Sequence, residues 1–506
     1  MLRPIPLGSL GLFLLVACGS GDEGTGTPGS TSQTSTVSTT SGMGAGGGTG
    51  TGGMAGSVLT VDSPATGSDI LWSAALAMTA PLGVARVVVT HAETGASCEA
   101  TAPYFECLLD LSEADAGPVD LTVSAQDDGG AELSIVTHRV NKREVTTPCT
   151  GDGAMLSSCI VERATMGTSA GFEGVSYLNA DDAHANVNTS TMTGVDARVL
   201  DEPPAMVPMG VRMGVVNESR SWNPTGGWCS MPRCFAGSRR KRAMDLYAEN
   251  LFFFWPEHRD HGLRDFYMWQ APFFALSQGS SSSERDEVSK LLRALGVMSP
   301  EARDAAEQAK LLGPLMSMLL VRSRVDSDVD YMTAEAFPTA LDNLDNAERL
   351  LSMAAALRAD ELAPLATIAA HTADFPSGWG TFGQVLDSPY AVGFAPAMDD
   401  GPHPESFTVE VDLTTKDAND RRAIYFPVIL RGDASVRVER TGEDSWRITG
   451  DYPEDRMLMT NGIERTVART TVAFFPHNGM WMGAPVMVSV GGHPAEETAP
   501  NSNNAD

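Results

Sequence analysis

One segment of the sequence concentrates the residue types that carry out acid–base and metal chemistry. It spans residues 252–270, FFFWPEHRDHGLRDFYMWQ, and between its aromatic residues it holds four such side chains: Glu257, His258, Asp260 and His261. Imidazole and carboxylate groups bind divalent metals, so His258, His261 and Asp260 form a candidate metal site, or with Glu257 an acid–base site. The alternative interpretation is a solvated turn between two buried strands, in which neighbouring arginines neutralise the carboxylates.

A second candidate ligand site follows shortly afterwards, where an apolar run ends in a loop of glycine and serine. Gly279, Ser280 and Ser281 precede a predicted helix, and free backbone N–H groups at the start of a helix can bind an anion. The loop lacks the Gly-Lys-Ser/Thr ending of a P-loop and the Gly-x-Ser-x-Gly pattern of a nucleophile elbow. The alternative interpretation is that one of the serines caps the helix.

The elements around these two segments determine whether they can form one site. Residues 250–255 and 271–277 are apolar and predict two strands. If these strands form a hairpin, the two candidate segments lie at opposite ends of it, roughly 23 Å apart for seven strand residues. We therefore expect two separate sites rather than a single catalytic centre.

A third cluster consists of oxygen ligands. Asp417, Asn419 and Asp420 lie in the sequence Asp-Ala-Asn-Asp, which resembles the calcium-binding linkers of cadherin-like repeats. The resemblance implies a calcium site, and a plain β-turn is the alternative interpretation.

The composition of the whole chain limits the classes of ligand. The 506 residues carry a formal charge of −29, which disfavours nucleic acid because phosphate binding requires a basic surface. A divalent metal cofactor or a basic ligand is compatible with this charge.

The N-terminus indicates the compartment. Residues 7–17 form an apolar run that is too short to span a bilayer, and a single cation, Arg3, precedes it. The run ends in LVAC at positions 15–18, which resembles the lipobox of bacterial lipoproteins. The resemblance implies that residues 1–17 are removed as a signal peptide and that Cys18 carries the lipid, palmitate included. Because Gly rather than Asp follows Cys18, it also implies the outer membrane.

Six cysteines remain beyond Cys18, and their even number indicates disulfides formed in an oxidising compartment. Their spacing favours three local pairs: Cys98–Cys107, Cys149–Cys159 and Cys229–Cys234. A crossed pairing among the last four is the alternative, and the spacing of these four does not match that of a zinc site.

Hydrophobic periodicity divides the chain into successive parts. Residues 19–57 are almost entirely Gly, Ser and Thr and predict a flexible tether. Apolar residues alternate with period two in 58–145 and again beyond 400, which predicts two antiparallel sandwiches. Between 283 and 372 the spacing is helical, as in the apolar face formed by four residues: Leu350, Met353, Ala354 and Leu357. Ser299 and Pro300 form a helix start signal in the same region.

The predicted fold class is therefore a multidomain protein with an immunoglobulin-like β-sandwich, an α-rich α+β middle domain and a C-terminal β-sandwich. The predicted boundaries are: signal peptide 1–17, lipidated Cys18 with a disordered tether 18–57, immunoglobulin-like sandwich 58–145, disulfide-pinned middle domain 146–398, C-terminal sandwich 399–492 and disordered tail 493–506.

Two further resemblances concern architecture. The strands and turns of 58–145 resemble the immunoglobulin-like modules of bacterial surface proteins. The motifs FALSQGSSSSE and FFPHNGMWMGAPVMVSV, at 274–284 and 474–490, resemble an uncharacterised secreted family of planctomycetes and myxobacteria. Neither resemblance implies catalytic residues.

These observations predict a cell-envelope lipoprotein that acts as a binding or scaffolding module for a surface polysaccharide or protein. Its expected partners are the outer membrane, through the lipid, and that envelope ligand, with no nucleic acid. The alternative is an extracytoplasmic hydrolase with a metal or acid–base centre in the middle domain.

Overall fold

The computed structural model describes the two ends of the folded chain and parts of its middle. The described residues are 58–145, the strands 175–179, 195–199, 213–217, 221–223, 227–229, 251–257 and 274–278, and residues 294–295, 297–333, 347–375, 382–396, 404–418, 420–432, 434–453, 457–460, 463–466 and 469–491.

Residues 58–145 form a β-sandwich, as the period-two pattern predicts. Its strands are β1 (Thr60–Ser63), β2 (Asp69–Ile70), β3 (Ser73–Thr79), β4 (Arg86–Thr90), β5 (Ser97–Thr101), β6 (Phe105–Asp110), β7 (Gly117–Gln126) and β8 (Glu132–Lys142). One sheet has the order β1-β3-β6 and the other β2-β8-β7-β4-β5, with every pair antiparallel except β2 with β8. Burial alternates along β7, where Val119, Leu121 and Val123 enter the core between the two sheets.

A disulfide bond joins the edge strands of the two sheets. Cys98 of β5 is bonded to Cys107 of β6, which confirms the first of the three predicted pairs. Cys149, Cys159 and Cys234 lie outside the described residues, and for Cys229 the structure describes only the backbone.

The middle part contains a parallel sheet that the sequence did not predict. Its strands are β9 (Val175–Asn179), β10 (Val195–Val199), β11 (Met213–Asn217), β14 (Leu251–Glu257) and β15 (Phe274–Gln278), and a separate antiparallel pair consists of β12 (Ser221–Asn223) and β13 (Gly227–Cys229). The sheet has the order β10-β9-β11-β14-β15, and all four pairings are parallel. The condition that β14 and β15 form a hairpin is therefore not met. The segment 258–273 between them is long enough for the crossover that a parallel pair requires.

Among the residues that the structure describes, the helices with defined ends that follow the parallel sheet are α1 (Pro300–Gln308), α2 (Leu312–Arg322), α3 (Asp328–Tyr331) and α4 (Ala347–Ala356). Helix α1 begins at the predicted signal, because the Ser299 side chain accepts a hydrogen bond of 3.1 Å from the backbone N–H of Ala302. The predicted apolar face of α4 is buried. Helix α2 is buried along its whole length and lies against β14 and β15. Within the described part of the chain, the helices are all too short or too polar to cross a membrane.

A second β-sandwich closes the chain. Its strands are β16 (Leu365–Asp374), β17 (Phe382–Ser388), β18 (Ala391–Pro396), β19 (Ser406–Lys416), β20 (Ile424–Arg431), β21 (Arg437–Arg440), β22 (Ser445–Asp451), β25 (Arg469–His477) and β26 (Val486–Gly491), with a small hairpin of β23 (Met457–Thr460) and β24 (Ile463–Thr466). The two sheets, β16-β19-β22-β21 and β17-β18-β26-β25-β20, enclose one apolar core.

This sandwich begins earlier than the boundary predicted at 399. Three of its strands, β16 to β18, precede that residue. Strand β16 pairs with β19 from Leu365 to Asp374, so the region expected to be helical up to 372 ends as a strand. The short apolar start of β16 can be read with either periodicity, and its long partner in the sheet decides the outcome.

The two sandwiches are packed against each other. Ala75 and Ala77 of β3 form a small buried cluster with Ile424 of β20. Around it, Glu106 of β6 accepts a 2.6 Å hydrogen bond from Arg440 of β21, whose guanidinium carbon lies 4.3 Å from the centre of the Tyr104 ring. These contacts join the sandwiches through apolar packing and a largely buried ion pair.

Candidate functional site

The parallel sheet brings the ends of β14 and β15 to the same edge. Glu257 is the last residue of β14, and its register partner is Gln278, the last residue of β15. The remaining predicted site residues, His258, Asp260, His261, Gly279, Ser280 and Ser281, lie outside the described residues, as does Cys18. Because the chain leaves both strands at the carboxyl edge, the expectation that the two candidate segments start from opposite ends of a hairpin is corrected.

The carboxyl edge also holds two asparagines that the sequence analysis missed. Asn179 ends β9 and Asn217 ends β11, and the two are register partners in neighbouring strands. Strand β9 lies between β10 and β11, so it is here that the strand order changes direction. The available signal was an apolar strand ending in a polar residue, in VSYLN and in MGVVN. Polar residues at the ends of two strands indicate a common location only when the strands are known to be parallel neighbours.

The carboxyl edge has a step between β11 and β14. The pairing of these strands ends where Asn217 meets Phe254, whereas β14 continues through Trp255 and Pro256 to Glu257. Three further strand residues correspond to roughly 10 Å. Strands β14 and β15 therefore extend past the ends of β9 and β11 and bound one side of the edge.

A second group of chemically capable residues is buried where three parts of the fold meet. Ser73 comes from β3, Asp328 from α3 and His477 from β25, and each is at most 1% exposed. The Ser73 hydroxyl donates a hydrogen bond to Asp328 and lies 3.2 Å from Nε2 of His477. Nε of Arg322 lies 2.5 Å from the Asp328 carboxylate, so the buried carboxylate has a buried cation beside it.

The hydrogen bonds of His477 determine what this group can do. The backbone N–H of Gly479 donates to Nδ1 of His477 over 3.0 Å, so the proton of the neutral ring is on Nε2. Nε2 therefore donates to Ser73 and cannot take its proton. Burial lowers the pKa of His477 to about 4 and keeps the ring neutral; the Asp328 carboxylate opposes this shift, and Arg322 adds to it. The arrangement lacks the geometry of a serine nucleophile and its base.

Aromatic residues enclose the cation of this group. The guanidinium carbon of Arg322 lies 4.4 Å from the centre of the Trp72 ring and 5.5 Å from that of Trp481. The two indole rings meet edge to face with centres 5.3 Å apart. The cluster of Ser73, Arg322, Asp328 and His477, here called the junction cluster, is therefore a closed structural contact between the two sandwiches and the helices.

One of the predicted calcium residues, Asp417, contacts Asn478, which follows His477 of the junction cluster. The Asp417 carboxylate accepts hydrogen bonds from Nδ2 of Asn478, at 2.6 Å, and from Nε of Arg421, at 3.2 Å. Asp420 is exposed and has a positive φ of 56°, and Asn419 lies outside the described residues. Among the residues that the structure describes, there is no group of three or more His, Cys, Asp or Glu side chains that could hold a metal. Calcium binding here stays a prediction.

Comparison with known proteins gives little further information. The chain matches no family model and no curated protein. Among solved structures it is similar to a fibronectin(III)-like module of Clostridium thermocellum CbhA, with 19% identity over 17% of this chain and 96% of that one, at a TM-score of 0.14. It is also similar to a Bacteroides ovatus GH5 xyloglucanase, with 9% identity over 57% of this chain and 70% of that one, at a TM-score of 0.12. At these TM-scores neither similarity carries an argument about this protein.

Proposed function

We propose that this chain is a lipid-anchored protein of the bacterial cell envelope that binds a surface polysaccharide or protein. Within this proposal, residues 58–145 form an immunoglobulin-like module, the middle part is an α-rich domain with the ligand site, and the tether holds both away from the outer membrane. The observation that supports ligand binding best is the carboxyl edge of the parallel sheet, the edge at which open α/β sheets bind their ligands. The Cys98–Cys107 bond supports an oxidising compartment.

Anchoring is tested by labelling producing cells with palmitate and separating their membranes. We expect label on the full chain in the outer-membrane fraction and its loss in a Cys18→Ser variant. A cytosolic chain that retains residues 1–17 and has reduced thiols would contradict the proposal.

Binding is tested with the full chain purified in detergent. The two probes are polysaccharide extracted from the surface of the producing cells and, separately, solubilised outer-membrane proteins. We expect saturable binding to one of the two probes, measured by calorimetry or on a sensor surface. Failure to bind either probe would contradict the binding function while leaving the anchoring result intact.

A hydrolase is the second candidate function, and one specific observation favours it. Glu257, one of the two carboxylate-bearing residues of the sequence candidate, is the last residue of β14 at the carboxyl edge, where α/β enzymes place reacting groups. The fold by itself does not imply catalysis.

Metal analysis of the full chain and of His258→Ala and His261→Ala variants separates the two functions. Stoichiometric metal that disappears in both variants favours the hydrolase, whereas unchanged metal content and activity count against it.

A further inference from the structure

We propose that the carboxyl edge of the parallel sheet, at the change of strand direction between β9 and β11, is a carbohydrate-binding site in which Asn179 and Asn217 recognise sugar hydroxyl groups. This inference rests on the proposed envelope-binding function and narrows its ligand to the polysaccharide.

The first argument is the order of the strands. In the order β10-β9-β11-β14-β15, chain order runs one way from β9 to β10 and the other way from β9 through β11, β14 and β15. In open parallel sheets the connections on the two sides of such a point lead to opposite faces and leave a crevice at the carboxyl edge. The crevice of this sheet therefore lies above the ends of β9 and β11.

The second argument is the chemistry of the residues at that point. Asn179 and Asn217 are register partners, and neighbouring strands lie about 4.8 Å apart, so two amide-bearing residues occur side by side. A primary amide offers donors and an acceptor at once, which is the pattern that a hydroxyl group also offers. Two adjacent amides therefore match a hydroxyl-rich ligand better than they match a simple ion.

The third argument is the shape of the edge. Strand β14 continues through Trp255 and Glu257 beyond the residue paired with Asn217, which raises one side of the edge by roughly 10 Å. Glu257 is the register partner of Gln278 on the same raised side. The raised side therefore bounds the edge next to the two asparagines and gives the site one wall, as expected of a concave binding site.

The fourth argument concerns the ligands that this edge disfavours. The five strands end in Asn179, Val199, Asn217, Glu257 and Gln278, none of which is a cation. The whole chain has a formal charge of −29. These strand ends therefore supply no cation for a phosphate, whereas the hydroxyl groups of a neutral sugar require none.

The test compares binding of the full chain, in detergent, to polysaccharide extracted from the surface of the producing cells. The variants are Asn179→Ala, Asn217→Ala and the pair, and the matched control is Asn223→Ala, which changes the last residue of β12 outside this sheet. We expect a Kd at least tenfold larger for each single variant, no measurable binding for the pair, and an unchanged Kd for the control. Circular dichroism and the Tm show whether each variant is folded. Where an alanine variant is unfolded, Asn217→Asp or Asn179→Asp, which preserves side-chain size and removes the amide donor, takes its place.

Three results would overturn the inference, and they differ in what they mean for the proposed function. If folded variants bind the polysaccharide like the unmodified chain, the site is wrong and the binding function stands. If the chain binds only an outer-membrane protein, the ligand class is wrong. If it binds neither probe, the proposed function fails as well.

Discussion

At the scale of single residues, the junction cluster shows how a buried polar group is accommodated in this fold. Ser73 donates to Asp328 and accepts from His477, and Arg322 neutralises the carboxylate. A buried polar group without a partner costs about 1–3 kcal/mol, so each member of the cluster depends on the others. The cluster therefore stabilises the contact between the sandwiches.

Replacement of Ser73 tests this assignment. We expect Ser73→Ala to lower the free energy of unfolding by about 1–3 kcal/mol, because both His477 and Asp328 lose a buried partner. Urea denaturation followed by fluorescence measures the change. The matched control is Ser124→Ala, whose hydroxyl bonds to Glu132 in an exposed position and whose effect should stay within about 0.5 kcal/mol. Equal effects of the two substitutions would contradict the assigned role of Ser73.

The low pKa of His477 makes the stability depend on pH. The ring binds a proton near pH 4 in the folded chain and near its ordinary pKa of 6.5 in the unfolded chain, so acid favours the unfolded chain between these values. We expect the contribution of His477 to be complete above pH 6.5 and to fall by up to about 3 kcal/mol as the pH falls to 4. The Tm of the full chain and of a His477→Gln variant, measured across this range, provides the test. Parallel pH profiles for the two proteins would show that His477 does not titrate in this way.

The sequence could not have shown the junction cluster. Ser73 and His477 are 404 residues apart, and the motif at 474–490 that contains His477 gives no indication of its distant partners. Local signals were more informative, as for Ser299, because a helix cap depends on residues three positions away.

At the scale of elements, the sequence predicts strands better than it predicts their partners. The alternation in β7 gives the buried face, and the spacing in α4 gives the apolar stripe. An apolar run such as β14 or β15 has no alternation that distinguishes a parallel from an antiparallel neighbour. The pairing direction depends on the crossover between the strands, which periodicity does not report. This is why the sequence alone allowed a hairpin, in which the two candidate segments would lie at opposite ends.

The loop between β25 and β26 illustrates a close contact between elements. A Cβ atom at Gly483 would lie 2.2 Å from the backbone oxygen of Pro364, the residue just before β16. We expect Gly483→Ala to lower the free energy of unfolding by about 3 kcal/mol, because one of the two segments must move. Gly129→Ala is the control, since its Cβ would meet only Oδ1 of the Asp127 side chain, at 3.3 Å, and no backbone atom. Urea denaturation measures both variants, and a tolerated Gly483→Ala would show that the two segments are not packed in this way.

The disulfide bond stabilises a different contact between elements, the one between β5 and β6. We expect the double variant Cys98→Ser, Cys107→Ser to lose about 2–3 kcal/mol of unfolding free energy, because the bond closes a short loop and restricts the unfolded chain. Denaturation of the two proteins under non-reducing conditions measures the difference. Alkylation of both thiols in the unreduced, denatured chain would contradict the bond itself.

At the scale of the whole molecule, the two sandwiches and the helices form connected parts of one body. Arg143, just after β8, forms an ion pair with Glu361, just after α4, and Glu106 and Arg440 join the sandwiches directly. The sequence predicted the sandwiches because period two is a local property. It did not predict their contact, which depends on pairs of residues such as Ala77 and Ile424. The parallel sheet, which lies between the sandwiches in the sequence, supplies the carboxyl edge on which the proposed ligand site rests.

Hydrogen–deuterium exchange of the full chain, with and without extracted surface polysaccharide, tests the central claim most directly. We expect the ligand to slow exchange at the carboxyl ends of β9, β11 and β14, in peptides containing Asn179, Asn217 and Glu257, and to leave β21 and β22 of the C-terminal sandwich unchanged. Slower exchange confined to the sandwiches, or none anywhere under saturating polysaccharide, would contradict a polysaccharide site at the carboxyl edge of the parallel sheet.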